Sequence, residues 1–109
     1  MKITDEQLEA LQWLLPDNDV NDRVNNAIAF DYQGKVFATS SQESAAIFCD
    51  LLKRAVLEND SIFKAVTHAY LKKSIVHICC MNGTEARGKG DTELEAWILA
   101  VTELHGRMK

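Results

Sequence analysis

The stretch Ile75-Val76-His77-Ile78-Cys79-Cys80-Met81-Asn82-Gly83-Thr84-Glu85-Ala86-Arg87-Gly88-Lys89 decides the fold class. An apolar, β-branched run meets Asn-Gly, the strongest short hairpin signal, and returns as an alternating polar strand. Strands over Ile75 to Met81 and Thr84 to Lys89 are therefore expected around a two-residue turn at Asn82-Gly83. In that register one face carries Ile75, His77, Cys79 and Met81 over Ala86 and Gly88. The other carries Val76, Ile78 and Cys80 beside Glu85, Arg87 and Lys89. The last segment, glycine-rich and polar, reads as a protected edge.

Upstream, Gln33-Gly34 plays the same part between Ala27 to Tyr32 and Lys35 to Thr39. Its pleat sets Ile28, Phe30, Tyr32 and Phe37 on one face, and Ala27, Ala29, Val36 and Ala38 on the other. Strands that are apolar on both sides require a layer on each. Helical periodicity supplies the layers. Thr4 with Gln7, Ser40 with Glu43 and Thr92 with Glu95 are capping boxes that open three helices. The first presents Leu8, Leu11, Leu14 and Leu15 until Pro16 stops it, and the second presents Phe48, Leu52 and Val56 until Glu58-Asn59-Asp60. The last presents Leu94, Trp97, Ile98, Val101 and Leu104. A short further helix from Ser61 would turn Ile62, Phe63, Val66 and Tyr70 inward. Trp13 and Trp97 read as packing residues.

The expected fold is α+β (α/β in the loose sense), an antiparallel sheet of about four strands with helices on both faces. Its order is α-β-β-α-α-β-β-α, within a single domain over residues 1–109.

With 109 residues there is room for one core, and 47% hydrophobic against 26% charged residues is globular composition. No apolar stretch is long enough for a membrane span, and the start MKITDEQLEA has no secretory h-region. A cytoplasmic protein is expected. The net charge of −4 argues against direct nucleic-acid binding, which needs a positive surface. Charge is unevenly placed, however. Residues 1–32 hold seven acids against two bases, whereas residues 64–90 hold Lys64, Lys72, Lys73, Arg87 and Lys89 against Glu85 alone. Such a dipole can orient a partner during encounter.

No catalytic signature emerges. His77 and Cys79 leave one strand face about 6–7 Å apart, but a nucleophile also needs an orienting group and an oxyanion hole. His68, His77, Cys79, Cys80 and His105 lack the CxxC or HxxxH spacing of a zinc site, so no metal and no cofactor are expected. Cys49, Cys79 and Cys80 read as reduced thiols, because adjacent strand residues face opposite ways. Arg87-Gly88-Lys89-Gly90 before Thr92 has the look of a phosphate loop. It lacks the third glycine and the Walker lysine, and Asp91 and Glu93 would repel an anion. The same acids exclude a double-stranded-RNA domain, which places lysines there.

Two junctions, Phe37-Ala38-Thr39-Ser40-Ser41-Gln42-Glu43-Ser44-Ala45-Ala46 and Ala86-Arg87-Gly88-Lys89-Gly90-Asp91-Thr92-Glu93-Leu94-Glu95-Ala96-Trp97, pass from strand through cap into helix. Both resemble recurring segments of the small phage "ABA sandwich" domains of prophage accessory proteins, over about a third of the chain. The resemblance implies helix, sheet and helix layers and action in the bacterial cytoplasm. It also implies a non-enzymatic role by protein–protein binding, such as inhibition of a host defence complex in the anti-CRISPR manner. It transfers no site residues. Asp5, Glu6, Glu9, Asp17, Asp19 and Asp22 are the expected contacts with a basic protein partner. Two alternatives stand beside this: a small enzyme or ligand-binding module using the His77/Cys79 face, and a homodimer pairing through Thr84 to Lys89.

Overall fold

In a computed structural model describing residues 2–108, three helices and five strands pack around one buried cluster. The order is α1 (Asp5–Leu14), β1 (Ala29–Tyr32), β2 (Lys35–Ala38), α2 (Gln42–Leu57), β3 (Ile62–Tyr70), β4 (Lys73–Cys80), β5 (Glu85–Gly90) and α3 (Glu93–Arg107). The α+β class is as expected.

The arrangement differs in three ways. First, the four strands expected in one sheet are five strands in two: an antiparallel β1–β2 ribbon and a three-stranded antiparallel sheet, β3-β4-β5. Second, the short helix expected from Ser61 is β3. Ile62, Phe63, Val66 and Tyr70 fit a helical stripe, but β3 pairs with β4 from Ile62↔Cys80 to Tyr70↔Lys73, with one register shift at Phe63. Tertiary pairing overrides so short a stripe. Third, helices do not lie on both faces of the sheet. Along β4 and β5, Val76, Ile78, Cys80, Ala86, Gly88 and Gly90 are buried, while Glu85, Arg87 and Lys89 are exposed. One face is covered and the other is open.

Helix α3 is the central element. It lies along β4 and β5 on the covered face, with α1 and α2 packed against it. Ala96, Trp97, Ile98, Ala100, Val101 and Leu104 are all buried, so the helix is enclosed on most of its circumference. Small residues permit the close approach. A Cβ added at Gly88 would collide with the Ala96 carbonyl oxygen and the Ala100 nitrogen. One added at Gly90 would sit 2.6 Å from Glu95 Cβ.

The helix starts follow their caps. Thr4 Oγ1 accepts from Gln7 N while Gln7 Oε1 accepts from Thr4 N, which completes the capping box. Thr92 Oγ1 accepts from Glu95 N. Helix α2 begins one residue later than its sequence signal suggested, capped by Ser41, whose Oγ accepts from Ser44 N.

The β1–β2 ribbon has the expected register, Phe30↔Phe37 and Tyr32↔Lys35, with positive φ at Gln33 (51°) and Gly34 (79°). Phe30 stacks against Phe48 of α2 at 4.8 Å, which anchors the ribbon to the core. The β4–β5 hairpin does not have the expected register. The Gly83 nitrogen donates to the Cys80 carbonyl and the Cys80 nitrogen to the Thr84 carbonyl. Gly83 has φ 89°, so the loop is Met81-Asn82-Gly83, three residues closing with glycine in the left-handed region. Pairing moves by one residue, to Cys79↔Glu85, His77↔Arg87 and Ile75↔Lys89. A one-residue slip exchanges faces. Glu85, Arg87 and Lys89 therefore join His77 and Cys79, and Ala86 and Gly88 turn to the helices.

Candidate functional site

The open face of the three-stranded sheet gathers residues from three separate segments. Register places Lys64, Cys79 and Glu85 in one cross-strand row, and Val66, His77 and Arg87 in the next. His68, Ile75 and Lys89 form a third row, and Tyr70 and Lys73 a fourth. Lys64, Lys73, Arg87 and Lys89, dispersed along the chain, thus converge on one surface. Lys73 pairs with Asp91, which raises its pKa through that charged hydrogen bond. Lys64, Arg87 and Lys89 have no ion pair among the described residues.

Between Lys64 and Arg87 lie three groups facing one another. Cys79 Sγ is 3.8 Å from His77 Nε2 and 4.0 Å from Glu85 Oε1, and His77 Nε2 is 3.7 Å from Glu85 Oε1. A relay of nucleophile, base and acid would use both imidazole nitrogens, one for each neighbour. Here thiol and carboxylate both address Nε2. The arrangement is convergent rather than serial.

The other sequence candidates do not join this cluster. Cys80 points to the opposite face, where burial raises its pKa. His105 stacks with Trp13 at 5.1 Å, and His68 belongs to the third row. Cys49 is buried on α2, and burial followed by nearby Glu93 pushes its thiol up to about 11. No disulfide forms among the three cysteines. Arg87-Gly88-Lys89-Gly90 is strand β5, its glycines pressed on α3, and is not a phosphate loop. Trp97 is buried and Trp13 half-exposed.

The six N-terminal acids are all exposed. Asp5, Glu6 and Glu9 lie along α1, while Asp17 and Asp19 follow its far end, about 15 Å of helix away from Asp5. Asp22 borders a shallow pocket with Lys2 and Ile3. A larger cleft of about 600 Å³ lies where α2 and α3 begin, lined by Asn26, Ser40, Gln42, Thr92, Leu94 and Glu95. It contains no histidine, cysteine, lysine or arginine. No helix among the described residues is long and apolar enough to cross a membrane.

Comparison with known proteins gives no match to a family model, a curated protein or a solved structure. The open sheet face must therefore be interpreted from its own chemistry.

What sequence reasoning missed here is Glu85, Arg87 and Lys89 beside His77 and Cys79. The available signal was ambiguous. Asn-Gly serves two-residue loops, and glycine also closes three-residue loops, so the dipeptide alone did not fix the register.

Proposed function

We propose that this protein is a non-enzymatic binding module that docks an acidic protein surface on the open face of β3-β4-β5. One observation carries this reading: Lys64, Arg87 and Lys89, without an ion pair among the described residues, flank Val66, Tyr70 and Ile75 on the uncovered face. Val66 is 42% and Tyr70 63% exposed, with Phe63 (66%) and Leu71 (78%) exposed on the same strand and its turn. Exposed aromatic and aliphatic anchors beside bases that outnumber the one carboxylate on this face, Glu85, fit a partner of net opposite charge, with apolar contacts supplying affinity and the charges the association rate. The edge of β3 adds nine residues of strand with a free ladder side, available for main-chain pairing. A host-directed, masking role is what the resemblance to phage accessory domains implies for that partner. The six N-terminal acids carry charge of the opposite sign and serve as the control surface in the test.

The test is affinity capture from nuclease-treated bacterial lysate near physiological salt, comparing three baits. The wild type should retain a near-stoichiometric acidic protein, and a Lys64→Glu, Arg87→Glu, Lys89→Glu variant should lose it. The Asp17→Lys, Asp19→Lys, Asp22→Lys variant should keep it. A bait that retains nothing, or a partner lost only on reversing the acids, overturns the proposal.

A further inference from the structure

We infer that His77, Cys79 and Glu85 form a site for a zinc-class divalent cation on the open sheet face. Their donor atoms, Nε2, Sγ and Oε1, lie 3.7, 3.8 and 4.0 Å apart. A nitrogen–oxygen hydrogen bond spans about 2.7–3.2 Å, so the imidazole and carboxylate do not satisfy each other. A tetrahedral ion with bonds of about 2.0–2.1 Å to N and O and about 2.3 Å to S separates adjacent ligand atoms by about 3.3–3.6 Å. Closing onto such an ion requires movements of a few tenths of an ångström, within the reach of side-chain rotation.

All three groups address a common centre, in contrast to a nucleophile relay. Thiolate with imidazole selects zinc-like ions over magnesium or calcium, which prefer oxygen alone. Thiolate and carboxylate together bring two negative charges, opposing the field of the neighbouring Lys64 and Arg87. His77 and Cys79 alternate onto one face of β4, the central strand, and Glu85 pairs directly with Cys79. Two ligands on one strand and a third across the hairpin give a rigid base and leave the fourth position facing outward, for water or an external donor.

The experiment is titration of the full chain with Co²⁺ as a spectroscopic stand-in, followed by displacement with Zn²⁺. The wild type should develop the absorption of a tetrahedral site with a sulfur-to-cobalt charge-transfer band, both abolished by Zn²⁺. Cys79→Ser should lose the charge-transfer band. His77→Ala and Glu85→Gln should each weaken binding by about tenfold or more, at least what loss of a ligand's hydrogen-bond partner costs at established sites. Arg87→Gln, which removes an opposing charge, should tighten it. All four positions lie on the open face, and a thermal melt of each metal-free variant verifies its fold. A wild type without the band, or a Cys79→Ser variant that keeps it, overturns the site.

Discussion

The β1–β2 and β4–β5 hairpins carry nearly the same signal, a polar residue followed by glycine between strand-forming runs, yet one reads in register and the other does not. At Gln33-Gly34 both residues take positive φ and form a two-residue loop. At Asn82-Gly83 only glycine does, and Met81 is drawn into a three-residue loop. The difference amounts to one residue of pairing, but its consequence is a whole face. In the first hairpin the anticipated faces hold. In the second, the exchange puts Gly88 against α3 and assembles Cys79, His77 and Glu85 outside. The third hairpin, β3–β4, turns on Leu71-Lys72, with φ of 49° and 65°. It carries no glycine or asparagine signal at all, which is why β3 was read as a helix.

The two hairpins differ most measurably at Gly88. If β5 faces α3 as described, Gly88→Ala forces a methyl group into the α3 backbone. It should cost about 3 kcal/mol or more in urea unfolding, the severe end of overpacking. In the alternative register Gly88 would face outward, and the substitution would be nearly neutral.

A smaller effect, of opposite sign, is expected at the third hairpin. Leu71 and Lys72 occupy the left-handed region without the residue types that tolerate it. Leu71→Asn with Lys72→Gly supplies the favoured two-residue turn and should stabilise the protein by about 1–2 kcal/mol. An unchanged unfolding midpoint would show that this turn differs less from Gln33-Gly34 than its dihedrals indicate.

The smallest expected effect contrasts the covered interior with the open face. Burial raises the Cys49 thiol from 9.0 to about 11, so the fold favours its neutral form. Its contribution is complete below pH 9 and is lost as the pH rises from 9 toward 11, because the unfolded chain releases the proton first. Buried Cys80 acts in the same direction, as do Lys53 and Lys73, whose hydrogen bonds to Glu93 and Asp91 favour the charged amine. Melting temperature should decline over that range, and Cys49→Ala should make the decline shallower. A slope unchanged by Cys49→Ala would remove the interior thiol as a cause.

Much of the architecture is visible in the chain, for local reasons. Thr4 with Gln7 and Thr92 with Glu95 satisfy exposed backbone donors within one turn, so the starts of α1 and α3 are written beside the residues that obey them. Pro16 and the apolar stripes likewise mark the ends and inner faces of the helices. The site was only half visible. His77 and Cys79 share a face because strand side chains alternate, whatever their neighbours do. Glu85 reaches them only through pairing.

The amino-acid sequence by itself determined the three long helices, the two Gly-marked hairpins and the common face of His77 and Cys79, because each depends on residues within a few positions of one another. The tertiary structure alone decided that residues 62–70 form a strand, that the sheet is covered on one side, and that Glu85, Arg87 and Lys89 lie beside Cys79 and His77. Those outcomes depend on pairing partners and on how closely α3 can approach Gly88. That competition between alternative ladders is settled by burial across the whole molecule and not by the local propensity of any one segment.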